Sequence, residues 1–157
     1  MAILIPGRTR CPICGRVIEK DQEVVTFGAF VPNQADVLHF FNDGAFHAAC
    51  FLAHPLATEA ARRSDEFLRT SAPGQRRCVA CAEDIMDAND YIGFGHLVND
   101  RADPLYRFNN LHLHRSHIQQ WPDCGAFYPL LKAAVSAGTL KGPLYDLLLR
   151  DLAGCSS

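Results

Sequence analysis

The sequence predicts an α+β fold of two tandem modules, the second extended by helices at its C-terminal end. Three observations carry that expectation: an internal repeat, a matched pair of cysteine–histidine patterns within it, and amphipathic helical spacing in the last third of the chain.

The repeat orders everything else. Shifted by 67 positions on itself, the 157-residue chain places Cys11 on Cys78, Cys14 on Cys81, His47 on His114 and Cys50 on His117 without a gap. Ile18 meets Ile85, Phe27-Gly28 meets Phe94-Gly95, Val31 meets Val98, and Ala35-Asp36 meets Ala102-Asp103. Leu38 meets Leu105, Phe41-Asn42 meets Phe108-Asn109, and Pro55 meets Pro122, so 13 of the 45 positions from Cys11 to Pro55 are identical. Chance gives a few identities and does not align every candidate ligand. The modules are drawn as 1–71 and 72–157, joined by Thr70-Ser71-Ala72-Pro73-Gly74-Gln75, which has turn composition.

Within each module a β part precedes an α part. Val24-Val25-Thr26-Phe27 and Tyr91-Ile92-Gly93-Phe94 are β-prone runs, and further strands are expected to lead into Leu38–Phe41 and Leu105–Phe108. A helix is expected from Phe46 to His54, continued or followed by Leu56 to Leu68. In the second module, Ile118–Trp121 stops before Pro122. Phe127–Ala137 and Leu144–Leu152 then form the helical extension, separated by Gly138 and Gly142-Pro143.

Each C-x-x-C pair is followed, 33 positions after its second cysteine, by a pair spaced i, i+3: His47/Cys50 and His114/His117. On a helix such residues share a face and can reach one ion. Cys11-Pro12-Ile13-Cys14-Gly15 has the proline and glycine of a tight turn. Four N/S ligands with no spare position describe structural zinc: Cys11, Cys14, His47 and Cys50 in one site, Cys78, Cys81, His114 and His117 in the other. Two Zn²⁺ per chain are expected. The exchange of Cys50 for His117 suits a metal site, whereas a disulfide or redox dithiol would not accept it. His112 lies near, but the register favours His114. His39, His54 and His96 have no ligand-type counterpart and read as surface or core residues; Cys124 and Cys155 read as packing residues or free thiols. Ile18, Phe27, Phe46 and Phe51, with Ile85, Phe94, Leu113 and Ile118, are expected to pack around the two sites.

Composition bounds the function. Hydrophobic residues make up 48% and charged residues 20%, a globular balance, and the formal charge of −2 provides no basic field for nucleic acid or membrane. No apolar run approaches the roughly 20 residues of a membrane span. The start lacks the charged and apolar regions of a signal peptide. Seven cysteines, an odd number with two C-x-x-C pairs, suit metal binding in a reducing, cytoplasmic setting.

The stretch Cys11-Pro12-Ile13-Cys14-Gly15-x-x-Ile18 with Phe46-His47-Ala48-Ala49-Cys50-Phe51 resembles the first half of a LIM domain. It equally resembles the zinc finger of the poly(ADP-ribose) polymerase type. Both resemblances imply a treble-clef-like arrangement: a zinc knuckle, a β-hairpin, and a helix whose first turn supplies two ligands. They cover about 40 residues per module. No second zinc site follows Cys50 or His117 as in a LIM domain, and the second module has His117-Ile118 in place of Cys50-Phe51.

The polymerase-type resemblance implies binding to DNA breaks, but the inserts are acidic. Arg16 and Lys20 face Glu19, Asp21, Glu23, Asp36 and Asp43 in the first, a net −3; Arg101 and Arg107 face Glu83, Asp84, Asp87, Asp90, Asp100 and Asp103 in the second, a net −4. Arg62-Arg63 and Arg76-Arg77 are short exceptions, read as a solvated helix face and a linker. No H-E-x-x-H or deaminase pattern occurs. An HNH-like nuclease, invited by Asn109-Asn110 with His112, His114 and His117, loses two histidines to the zinc. The remaining expectation is a non-enzymatic interaction module (an adaptor, regulator or immunity-type inhibitor) binding a protein with a basic surface, with Asp84, Asp87 and Asp90 as the contact.

Overall fold

The computed structural model describes residues 3–72 and 74–155; Met1, Ala2, Ser156, Ser157 and Pro73 of the expected joint lie outside them. The chain forms two compact units, Met1–Val31 with Asp36–Leu68 and Pro32–Ala35 with Arg69–Ser157. Both are α+β. No helix among the described residues is long and apolar enough to cross a membrane.

In the first unit, β1 (Val24–Thr26) pairs antiparallel with β2 (Ala45–His47), setting Val24 opposite His47 and Val25 opposite Phe46. Helix α1 (Ala48–Leu52) follows at once, then α2 (Ala57–Ser71). The core is aromatic: Phe27, Phe41, Phe46 and Phe51 are buried, with ring centroids 5.2 Å apart for Phe27–Phe51 and 5.4 Å for Phe41–Phe46. Burying each such ring stabilises by about 1.5–3 kcal/mol, which matters in a unit with so small a core. Ala57, Ala60, Arg63 and Ser64 form the buried stripe of α2 at helical spacing. Arg63 is not on a solvated face as expected; only 2% exposed, it lies 3.6 Å from the Asp36 carboxylate and 3.3 Å from that of Glu59.

The second unit repeats this order. Strands β3 (Tyr91–Gly93) and β4 (His112–His114) pair antiparallel, with Tyr91 opposite His114 and Ile92 opposite Leu113. A 3-10 helix, Arg115–Gln120, stands where α1 stands in the first unit. Helices α3 (Cys124–Ser136) and α4 (Pro143–Asp151) close the core over Phe94, Phe108, Trp121, Phe127, Leu131, Tyr145 and Leu148. Proline opens α4 with its ring-fixed φ, Asp146 lies in its first turn and Arg150 in its last, charges that suit the helix dipole. Pro32–Ala35 is built into this unit: Asn33 Nδ2 donates to Thr139 O (2.9 Å), Lys141 N donates to Asn33 Oδ1 (3.0 Å) and Gln34 N to Lys141 O (2.9 Å).

Hydrogen bonds recur at the 67-residue offset. Cys11 N donates to Arg16 O (2.9 Å) and Cys78 N to Glu83 O (2.8 Å); Phe27 N donates to Gly44 O and Phe94 N to Leu111 O, both at 3.0 Å. Asn42 Oδ1 accepts from Phe30 N and Val31 N while its Nδ2 donates to Val31 O; Asn109 does the same with Leu97 N, Val98 N and Val98 O.

Two local expectations are corrected. No strand leads into Leu38–Phe41 or Leu105–Phe108 among the described residues; Leu38–Phe41 and Tyr106–Phe108 lie in 3-10 helices, because Asp36 and Asp103 accept from the N–H groups of Leu38 and Leu105 two residues on and so start a turn. Phe46 and His47 belong to a strand, and the helix starts only at Ala48. In the strand the Phe46 backbone pairs with Val25 and its ring is fully buried.

Candidate metal centres

Two clusters of cysteine and histidine can each hold a metal ion: Cys11, Cys14, His47 and Cys50, and Cys78, Cys81, His114 and His117. In each the ligand atoms all lie within 4.8 Å of one another. The first pair of every cluster sits on a knuckle closed by a short bridge, Arg10 to Val17 in one unit and Arg77 to Asp84 in the other. The turn requires a left-handed residue after the second cysteine. Gly15 supplies it at φ +70°, and Ala82 occupies the same position at φ +60° despite its Cβ. The second pair comes from the end of a strand and the helical turn after it. His114 therefore reaches the cluster from β4, not from the same helix as His117 as the i, i+3 spacing implied.

Histidine orientation is set by second partners. His47 Nδ1 lies 3.4 Å from Cys14 Sγ and 3.8 Å from Cys50 Sγ. Its Nε2 faces two acceptors, Val17 O (3.3 Å) and Gln22 Oε1 (3.0 Å). The ring proton belongs on Nε2, leaving the Nδ1 lone pair for the cluster. In the second cluster His114 Nδ1 lies 3.6 Å from Cys81 Sγ and His117 Nδ1 3.9 Å from Cys78 Sγ. His112 is turned away. Its Nδ1 meets the Tyr91 hydroxyl (3.0 Å) and its Nε2 meets Thr70 O (3.0 Å), so both nitrogens are engaged in the fold.

Three of the cysteines, Cys11, Cys14 and Cys78, are shifted toward the thiolate, and two, Cys50 and Cys81, toward the thiol. The backbone N–H and then the guanidinium of Arg16 bring exposed Cys14 down to about 6. Burial opposes ionisation of Cys78, but the N–H groups of His114 and Cys81 outweigh it and bring the thiol to about 6. Burial also opposes Cys11, whose thiol is nevertheless lowered by the N–H groups of Cys14, His47 and Ile13. Cys50 and Cys81 are pushed up, first by burial and then by neighbouring thiolates. A bound cation would turn that repulsion into attraction.

Several residues support the clusters in roles that the sequence does not assign to them. Gln22 fixes the His47 tautomer, and Arg16 holds Cys14. Arg77 Nε donates to Ala82 O (2.6 Å) across the second knuckle, and Arg76 stacks on Tyr91, 4.5 Å from the ring centroid. Asp90 accepts from Ser116 N (2.7 Å) and Ser116 Oγ (2.8 Å), which ties down the turn carrying His117 and lowers the Asp90 pKa. Cys124 and Cys155, expected to be packing residues or free thiols, are joined as a disulfide with Cα atoms 5.4 Å apart. Their 31-residue separation is closed where the Ala153–Cys155 turn packs against α3. No protein-family model matches the chain, and no match is found among curated proteins or solved structures.

Proposed function

We propose that both clusters are structural zinc sites, Cys₃His in the first unit and Cys₂His₂ in the second, within two duplicated treble-clef-like modules. The observation that carries this is the spacing of the donors. Around a tetrahedral Zn²⁺ with bonds of about 2.0–2.3 Å, neighbouring donors stand roughly 3.3–3.8 Å apart. Four of the sulfur–nitrogen separations are 3.4, 3.6, 3.8 and 3.9 Å, and all donor atoms of each cluster lie within 4.8 Å of one another. Four protein donors fill that shell and leave no position for an activated water. The metal's contribution is to tie the knuckle to the hairpin and its following turn, stabilising units with small cores. Charge supports the assignment. Three thiolates on a divalent ion leave a net −1, beside which Arg16 stands; two thiolates leave neutrality, and Glu83 occupies the equivalent place.

On this scaffold the chain is a non-enzymatic interaction module whose partner is a protein with a basic surface. The inserts of net −3 and −4 support that reading, because such charges raise association rate and orient a basic partner while repelling phosphates. Asp84 and Asp87 are exposed, Asp87 accepting from Asn89 N through one carboxylate oxygen, whereas both carboxylate oxygens of Asp90 are taken by Ser116; Asp84 and Asp87 are therefore the better contact. A gel-shift titration with nicked and blunt-ended DNA at low salt tests the reading against a DNA-binding finger. No shift is expected. Tight, salt-sensitive binding would replace the protein-partner reading with the DNA one.

A further inference from the structure

The second site differs from the first in what holds its last ligand. His117 sits on a 3-10 helix, whereas Cys50 sits on an α-helix. Hydrogen bonds in 3-10 helices are poorer, so the turn Arg115–Gln120 depends more on what packs against it. The C-terminal tail supplies that packing. Arg115, between the two histidines, forms an ion pair with Asp151 at the end of α4. Gln119 lies so close to Gly154 that a Cβ there would stand 2.7 Å from its Nε2. Ile118, Leu152 and Cys155 share one buried cluster with Trp121 and Cys124. The tail is then fastened by the Cys124–Cys155 bond, whose two residues are 7% and 8% exposed. The first unit has no cysteine at Ala57, the position matching Cys124.

We propose that the Cys124–Cys155 bond is a redox-controlled brace on the second metal site: closed, it holds the tail against the turn carrying His117, and opening it speeds metal loss from that site alone. The proposal rests on the zinc reading above. Opening is a two-electron step. A dithiol attacks one sulfur to give a mixed disulfide, and its second thiol displaces the protein. Cys124 and Cys155 are left as thiols with two protons, and the dithiol becomes a cyclic disulfide. The five remaining cysteines are those of the metal clusters. The chain thus carries one redox couple separate from its ligands.

The test uses the full chain loaded with zinc. Alkylation after denaturation counts thiols: five are expected after exposure to glutathione disulfide and seven after a dithiol. Zinc release to a chromophoric chelator is then followed in reductant-free buffer for the closed wild type and the Cys124→Ser/Cys155→Ser double variant. A full-length Cys14→Ala variant identifies the phase belonging to the second site. Release from the second site is expected to quicken about tenfold in the double variant, the lower end for loss of an outer-shell support, with the first phase unchanged. Asp151→Asn, which keeps the disulfide, should quicken the same phase and guards against a misfolded double variant. Seven thiols under both conditions, or equal release of both equivalents in closed and open chains, would overturn the brace while leaving the zinc reading standing. A chain that holds no zinc in either state overturns both.

Discussion

Asn109 gives the sharpest view of how each unit is built. Its side chain accepts from Leu97 N at 2.7 Å and Val98 N at 3.1 Å and donates to Val98 O at 2.8 Å. Asn109→Ala removes all three bonds and leaves three backbone groups beside Leu97, which is 3% exposed. Each bond contributes about 1 kcal/mol net, and a stranded buried group costs about 1–3 kcal/mol. Since Asn109 is only partly buried and water can reach some of the freed groups, the expected loss is roughly 3 kcal/mol. In a unit of this size about 1 kcal/mol moves the melting temperature by roughly 4–8 °C, so a fall of about 12–24 °C is expected. The assay is intrinsic fluorescence during thermal unfolding of the metal-loaded chain. The single tryptophan, Trp121, is buried in this unit and reports on it. A fall of less than about 3 °C, below 1 kcal/mol on the same scale, would refute the reasoning that this side chain pins the loop.

Three further outcomes are expected. Ala82→Gly relieves a left-handed Cβ clash of roughly 1–2 kcal/mol against a glycine entropy cost of about 0.5–1 kcal/mol, so the Trp121-detected melting point should rise by a few degrees; a fall would contradict the strain. Metal uptake at pH 7 should release protons, because Cys50 and Cys81 are raised above their ordinary value and are thiols there until the metal displaces the proton. Apparent affinity should accordingly drop as pH falls from 8 to 6, and a pH-independent affinity in titration calorimetry would contradict it. Asp90→Ala frees Ser116 and should weaken metal retention by the second site by about tenfold, as outer-shell losses do, leaving the first site unchanged.

Some of this was legible in the residues and some was not, for physical reasons. The ligand clusters followed from one offset, because Cys11, Cys14, His47 and Cys50 align with Cys78, Cys81, His114 and His117, and those eight side chains are the ones brought together. The strands at Val24–Thr26 and Tyr91–Gly93 showed in their β-prone runs. Their partners did not: Ala45–His47 and His112–His114 are three residues each, too short for a period to show, and the i, i+3 spacing of His47/Cys50 and His114/His117 is that of a helix. The turn signal at Asp36 and Asp103 is in the sequence, but the apolar runs after it suit a strand leading in as well as the 3-10 helix that forms. Long-range closures had no local trace. Asn33 bonds to Thr139 across 106 positions, and Cys124 reaches Cys155 where the Ala153–Cys155 turn packs on α3.

The central claim is that each cluster holds one zinc ion that its unit needs in order to stay folded. Elemental analysis of the full chain purified without chelator, combined with circular dichroism melting before and after a strong chelator, tests it most directly. About two zinc ions per chain are expected, one for each ligand set. Chelation should abolish the cooperative melt, since ligands gathered from distant positions bind only in the folded unit. A chain that holds no metal, or one whose melting curve is unchanged by chelation, would contradict the account.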